Sequence, residues 1–583
     1  MCEKGTRQLS EKAPKPNSST EENHDADAAL WARFAGSAGD EVSAPSLSDA
    51  DLKRSRDKFA LYLKDVRVTD SQRGAALLEN RWRIGHERLD LSDNESPWRS
   101  ASPSRHFADR LHRFDWLSDL IDQGSEGADR GRQLVDDWCA LFGKFHAFHW
   151  RLGPLAARVW NWLKVGAPLF EYGSPEVYGL RMSVLRAQID YLRSLLDTTH
   201  DAEARWTGRC ILVAHSLLCD GGKSLEHSLH LLEAECTTQI LPDGGHVTRS
   251  PQTLLYCLCD LLILRDVLER ANRQVPDFFD KWIPRMGAML NFFTLPDGAL
   301  APFNNSSEDR AETVAAVFQA LGKPHRKFSF AMKSGFQKLE KGPLSLILDA
   351  GSAPPMPFAG KAHSGPLGFI LSDGDARIIT SSAFSPEVNL DWQAAIRRTN
   401  AHSTLHLLGR DANKFETYEG TQLLCPVGPE GISTKRLEEA DEIWLDSQHG
   451  GWKANFGLIH RRRLFMSGDG AKVTGEDSVV RPISLGIDED GKFISFDIRF
   501  HLHPSVHAET KGDSILLTCE NGTIWSFRTT HAGTRLETSR YLGRGLVEST
   551  RQIVMSGRAD PNGDGSVPPN CIRWGFRRVE AGT

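Results

Sequence analysis

Residues 342–351 read GPLSLILDAG, a short apolar run opened by a Gly-Pro turn and closed by Asp, Ala and Gly. Its length and its bounding residues predict a strand at 343–349. Segments of the same kind follow at 368–372, 376–381, 403–408, 493–500, 514–519 and 523–529, each ending in Gly, Asp, Asn or Pro, and no helix of comparable length interrupts them. On the amino-terminal side the spacing is different. Between about Leu52 and Leu321 apolar residues recur at three and four, as in Leu185, Ile189, Leu192, Leu195 and Leu196, or Leu254, Leu258, Leu261 and Leu262. Gly221-Gly222, Asp243-Gly244-Gly245 and Pro296-Asp297-Gly298 punctuate these runs at intervals suited to successive helical hairpins. The change of period predicts a helical domain over 51–340 and a strand domain over 341–583. Residues 1–50, rich in Ser, Glu, Asp, Ala and Pro, read as a disordered tail. Two differently built cores imply an interface, and the expected cleft lies there.

Composition narrows the function classes. Of 583 residues 40% are hydrophobic and 25% charged, an ordinary globular balance, and the formal charge of −6 leaves no net positive field for nucleic acid or an acidic membrane. An anionic ligand therefore needs a local basic cleft. Ten scattered cysteines, with only a CxC at Cys257 and Cys259, read as buried free thiols rather than a disulfide scaffold or zinc ribbon. Leu254–Leu264 is too short and too interrupted by Asp260 to span a membrane. The first thirty residues are polar and acidic where a secretory signal carries an apolar stretch, so no export by that route is expected.

Three clusters carry residue types that do chemistry. His227, His230 and Glu233 share a helix face at spacings of three. A histidine beside a carboxylate is fixed in one tautomer and suits proton transfer, although the same spacing also describes a solvated helix face. His246 and Arg249 follow the Asp243-Gly244-Gly245 turn, a plausible anion clamp. His363 in KAHSG and His402 in RRTNAHSTLHL open consecutive strands and can converge on one divalent ion if a third ligand joins them; each is otherwise an ordinary β-domain histidine. His501 and His503 in RFHLHP alternate onto one strand face. Phosphate-loop, dinucleotide, nucleophile-elbow and HExxH motifs are missing from the sequence.

Taken in order, HLLEAE, ILPDGGHVTRSP, KAHSGPLGF and RTNAHSTLHL, with NRWRIGHERL, LHRFDWLSDL, SGDGAKVTGEDS, RFHLHPSV and ETSRYLGR, resemble the heparinase II/III-like family of polysaccharide lyases over roughly residues 80–578. The resemblance implies an (α/α) toroid joined to an antiparallel β-sandwich. It also implies a carbon–oxygen lyase that cleaves an acidic, uronate-containing polysaccharide by β-elimination. Such a site neutralises the sugar carboxylate, withdraws the C5 proton and protonates the leaving O4. Relatives share those transfers between a tyrosine and a histidine, and a zinc ion braces the sandwich side.

Carried over by position, His230 falls on the histidine of an Asn-His pair, with Glu233 or Glu235 as acidic partner and Leu229 in place of the Asn. His246 and Arg249 are the expected carboxylate neutralisers. The family tyrosine falls on Thr253 or Leu254, leaving Tyr256 as the nearby substitute. His363 and His402 match zinc ligands, Lys361 stands where the catalytic histidine of an HxH pair is expected, and Thr380-Ser381-Ser382 stands where a ligand Asp would follow. The alternative reading is a carbohydrate-binding relative that has lost part of the catalytic site, and Leu229, Lys361 and Thr380 favour it. Relatives acting on external polymers are exported, which the polar amino terminus does not predict here.

Overall fold

The structure is a computed structural model that describes residues 61–579 except 93–94, 171, 309–310, 323–325, 419–422 and 489–490. The tail expected at 1–50 lies outside the described residues. Helices fill the amino-terminal part. The long ones are Gly124–Phe142, Leu152–Val165, Pro175–Leu195, Ala202–Leu218, Leu225–Gln239, Pro251–Arg270 and Asp277–Phe293. Their starts follow from sequence: Asp201 and Ser250 accept from the backbone N–H groups of Ala204 and Thr253, and Pro251 fits the first turn, whose N–H has no helical acceptor. Pro251–Arg270 is buried on almost every side, which is why its sequence is apolar all round. Its one interior carboxylate, Asp260, accepts from the indoles of Trp160 (3.0 Å) and Trp206 (3.3 Å) and from Arg67 (2.6 Å), so the tryptophans that fill this core also satisfy its buried charge. Among the described residues no helix is long and apolar enough to cross a membrane.

The remainder is an antiparallel β-sandwich. Among the described residues one sheet has nine strands, running from Thr534–Tyr541 through Glu548–Ala559, Ile494–Leu502, Ala376–Thr380, Phe369–Asp373, Leu344–Asp349 and Phe336–Lys341 to Phe330–Ala331, with Leu405–Leu407 added on Ile494–Leu502. The other has eight, from Ser433–Glu439 to His507–Lys511. An early hairpin, Arg81–Ile84 with Glu87–Asp90, lies within the helical part.

Leu344–Asp349 explains why the two parts hold together. All six of its residues are buried. Leu344, Leu346 and Leu348 face the sandwich core, whereas Ile347, with Phe336 and Ile370 of neighbouring strands, belongs to the helical core. The two cores expected from the period change are thus not separated by a polar interface: the nine-stranded sheet is the shared middle layer, covered on both faces, and its strand reads as a nearly continuous apolar run for that reason.

Candidate functional site

Two clusters meet where the helical rim approaches the sandwich. The first is open to solvent. The first turn of Ala202–Leu218 presents Glu203, the first turn of Pro251–Arg270 presents Thr253, and the 3₁₀ turn Phe358–Lys361 brings Lys361 over from the sandwich. Lys361 Nζ lies 2.6 Å from Glu203 Oε2 and 3.2 Å from Thr253 Oγ1. The Lys361 side chain is 29% exposed and that of Glu203 56%, so the pair is open to solvent, while Thr253 beneath it is buried. Lys361 beside it, with Arg113 and His246 further off, holds the Glu203 carboxyl below the usual range against the effect of its crowded surroundings. Arg113 (2.9 Å) and Arg151 (2.5 Å) share Asp109 nearby, and the rings of His200 and Tyr418 have centroids 5.8 Å apart. This part of the surface therefore mixes both signs of charge instead of being uniformly basic. Chemically, an ion-paired ammonium is a poor proton acceptor and an aliphatic hydroxyl titrates far from neutrality. Tyr256, 38% exposed and on the same helix face as Thr253, receives a hydrogen bond from Gln252 at its phenol oxygen (3.3 Å) and has the Arg67 guanidinium over its ring.

The second cluster is closed. His363 and His402 are buried with ring centroids 5.2 Å apart. The backbone N–H of His363 donates to Asn304 Oδ1 (3.0 Å), and His363 Nε2 meets Asn305 twice, at its Oδ1 (2.6 Å) and its backbone N–H (3.1 Å). Burial keeps both imidazoles neutral, with His402 lowered to about 4 and His363 held well below the usual imidazole range, with help from His402 beside it. His402 Nε2 is buried without a hydrogen-bond partner. Beside the pair, Arg249 is clamped to the Asp349 carboxylate and donates to the carbonyls of Ser334 (2.7 Å) and Ser352 (3.1 Å). Arg249, Asn304, Asn305, Leu367 and Ala383 all have positive φ. Hydrogen bonds hold them there: Asn304 donates to the Arg249 carbonyl, Leu367 N–H to the Asp349 carbonyl and Ala383 N–H to Ser381 Oγ. Such backbone persists only where the surroundings fix it, which marks this junction as tightly specified.

The residues read from sequence divide accordingly. His363 and His402 come together. Lys361 and Thr253 touch each other, and Glu203, which the sequence did not suggest, is the acidic partner of Lys361. His230 and Glu233 are exposed on Leu225–Gln239, whose Leu229, Leu232 and Cys236 point inward. The buried carboxylate of that helix is Glu235, which pairs with Arg205 at 2.9 Å. His246 is buried, held between Gln239 Oε1 (2.9 Å) and Thr248 Oγ1 (2.8 Å) and lowered to about 3 by burial. Arg249 is engaged by Asp349, by the carbonyls of two loops and by the Phe336 ring, so no guanidinium face is left for a sugar carboxylate. His501 is tied to Ser539 (2.7 Å) and to the Asn400 carbonyl (3.0 Å), while His503 lies past the strand end and meets Glu308 at 2.8 Å. Asn304 and Asn305 were missed; the Asn-Asn pair, a residue type that tolerates positive φ, was the available signal.

The zinc site implied by resemblance does not fit these residues. Among the described residues no three His, Cys, Asp or Glu side chains are placed to hold a metal ion. Asp349 lines the cavity but is neutralised by Arg249, and Ser381 stands on the wall where a carboxylate is required. Two neutral imidazoles in a buried space supply no charge to offset a dication.

Comparison with known proteins agrees with this architecture. The family model described as "Heparinase II/III-like, C-terminal" matches residues 323–575. FtsZ-localized protein C of Caulobacter vibrioides (strain NA1000 / CB15N) is 30% identical over 528 residues, covering 88% of this chain and 89% of that protein. The crystal structure of heparinase III superposes with a TM-score of 0.66 at 15% identity, covering 97% of this chain and 91% of that one. A heparan sulfate lyase from Pedobacter heparinus gives 0.52 at 14%, covering 97% and 90%. At these identities the solved structures speak for the fold, an α toroid joined to a β-sandwich.

Proposed function

The chain belongs to the heparinase II/III-like family, and from that premise we propose that it is a binding member, which uses the toroid–sandwich cleft to hold a saccharide without eliminating it. The carrying observation is the Lys361–Glu203–Thr253 contact. The two positions at which relatives would exchange protons with the sugar are occupied by an ion-paired ammonium and a hydroxyl that hydrogen-bond to each other. Losing a matched acid or base costs roughly a hundredfold to ten-thousandfold in rate. The mixed charge of the cleft supports recognition of a saccharide that carries both donors and acidic groups. The Caulobacter relative is named for localization with FtsZ, so the setting proposed here is cell division, where a folded saccharide-binding module can act as a scaffold.

The test pairs two assays on the full chain. Incubation with heparin, heparan sulfate, alginate and hyaluronan is expected to give no rise in the ultraviolet absorbance of unsaturated uronate, while glycan titration gives saturable binding that weakens in Lys361→Met. Steady production of the unsaturated product would overturn the reading. Co-sedimentation with FtsZ filaments checks the setting, and its failure would remove the division role alone. The lyase reading keeps one specific support, the exposed Tyr256 one turn from Thr253. It requires elimination that disappears in Tyr256→Phe.

A further inference from the structure

The eight-stranded sheet packs one face against the nine-stranded sheet and turns the other outward, on the side of the sandwich away from the helices. Six of its strands lie in the order Ser433–Glu439, Glu442–His449, Ile459–Met466, Lys472–Val480, Cys571–Val579 and Ile524–Thr529. Ile443, Leu445, Leu464 and Met466 enter the core, so by alternation the residues between them face out. Leu437, Trp444 and Phe465 are direct cross-strand neighbours in one outward row. Leu437 is 56% exposed and Trp444 46%, and the Trp444 and Phe465 ring centroids are 4.3 Å apart. At roughly 4.8 Å per strand the row runs for about 10 Å, enough for two sugar rings.

The next row, about 7 Å along the strands, alternates in sign: Lys435, Asp446, Arg463, Glu476 and Arg573 pair across the sheet in that order. Glu476 holds Arg463 and Arg573 at 2.9 Å each, yet their side chains stay 47% and 64% exposed. On the other side of the aromatic row Lys472 and Arg577 are neighbours, both exposed, with the Lys472 ammonium 6.0 Å from the Phe465 ring centroid. Adding Arg461 and Arg528, seven outward cations on these strands face four outward carboxylates, Glu439, Glu442, Asp446 and Glu476. The face is thus net positive on a chain whose formal charge is −6.

We propose that this face is a second saccharide-binding surface, which takes an acidic oligosaccharide with its rings on Trp444 and Phe465 and its carboxylates toward the flanking cations. Aromatic side chains offer a flat apolar area to the C–H face of a sugar ring, and a guanidinium matches a carboxylate in shape and charge. A second copy of this chain would bring two net-positive faces together, which like charge opposes. Rows of rings and cations side by side suit a polymer in which every ring or every second ring carries a carboxylate. The nine-stranded sheet lies between this face and the helices, so the inference does not depend on the Lys361–Glu203 cleft.

The test titrates the full chain with a hyaluronan octasaccharide, with maltooctaose as the neutral probe and poly-glutamate as the acidic peptide. Lys361→Met serves as the background, so that loss at the cleft is separated from loss at the sheet. There Trp444→Ala is expected to weaken hyaluronan binding at least about tenfold, as truncation of an anchoring aromatic does. Lys472→Gln with Arg577→Gln should weaken it in the same direction and flatten its salt dependence, while maltooctaose binds more weakly than hyaluronan throughout. Circular dichroism establishes that each variant is folded, and the Lys472 and Arg577 pair decides if Trp444→Ala is not. Hyaluronan affinity left unchanged by the folded sheet variants would overturn the proposal. Poly-glutamate binding tighter than hyaluronan, and lost in Trp444→Ala, would overturn it in favour of an acidic protein partner.

Discussion

Two clusters at the same junction, separated by the single residue Ala362 between Lys361 and His363, have been resolved in opposite ways. The cleft cluster keeps its charges, because Lys361 and Glu203 remain in contact with water and pair across the gap. The cavity cluster keeps none on its histidines, because burial holds His363 and His402 neutral, and it answers the one buried carboxylate, Asp349, with a dedicated guanidinium. Residues that stay wet and loosely paired are available to a ligand. Those that are dry and held in strained backbone fix the two parts of the molecule in register. The contrast makes a ranking of effects, and each variant below either preserves it or breaks it.

The largest effect is expected on the closed side. Arg249→Met leaves Asp349 buried without its partner and strips donors from the Ser334 and Ser352 carbonyls. Breaking a buried pair by removing one member costs about 3–5 kcal/mol. Denaturant unfolding of the full chain checks this, and adding Asp349→Leu should recover much of the loss. A single-variant loss below about 1 kcal/mol would remove the distinction between the clusters.

Acid should act through the same side. A histidine lowered to about 4 in the fold, against an ordinary value of 6.5, takes up its proton in the unfolded chain first as pH falls. The stability it contributes is complete above about pH 6.5 and is lost as pH drops towards 4, at about 1.4 kcal/mol per pH unit and about 3 kcal/mol in all. His112, His246 and His501 are lowered by burial to about 3 and add to the acid lability in the same direction. Comparing His402→Gln with wild type isolates one group: the variant's stability should fall less steeply between pH 6.5 and 4. Parallel curves would mean that His402 is not held neutral.

How much of this was legible in sequence depends on the range of the determining contact. GPLSLILDAG disclosed a strand because local pattern and turn residues agree, and the change of period disclosed the two parts. That Ile347 would turn to the helices while Leu346 and Leu348 turned to the sandwich required the third layer. On HLLEAE, the helical spacing was sound, but its apolar stripe, Leu225, Leu229, Leu232 and Cys236, already fixed which way His230 and Glu233 had to face. Resemblance drew attention to the two residues that the stripe leaves facing solvent. Glu203 was beyond reach, since nothing near Lys361 in sequence announces a partner from a distant helix.

On the open side Lys361→Met should change stability by less than about 1 kcal/mol, because a pair with one member 29% and the other 56% exposed is screened by solvent. Its effect belongs to binding. Saccharide affinity should fall while the unfolding midpoint hardly moves, and raising the salt concentration should weaken wild-type binding towards the variant's value. A loss of stability comparable to that of Arg249→Met would show that the cleft pair is part of the framework after all.

The smallest effect is expected at His230, and it sharpens the comparison most economically. His230 lies on the outer face of Leu225–Gln239, exposed like Glu233 and Glu226, while the helix is anchored by Leu229, Leu232 and Glu235 on its other side. Removing an exposed side chain that anchors nothing changes stability within about 0.5 kcal/mol. His230→Ala should therefore match wild type in unfolding and in glycan titration alike. If titration instead shows several-fold weaker binding at unchanged stability, the ligand reaches the helix's outer face, and the cleft bounded by Lys361 and Glu203 is too narrow an account of where it lies.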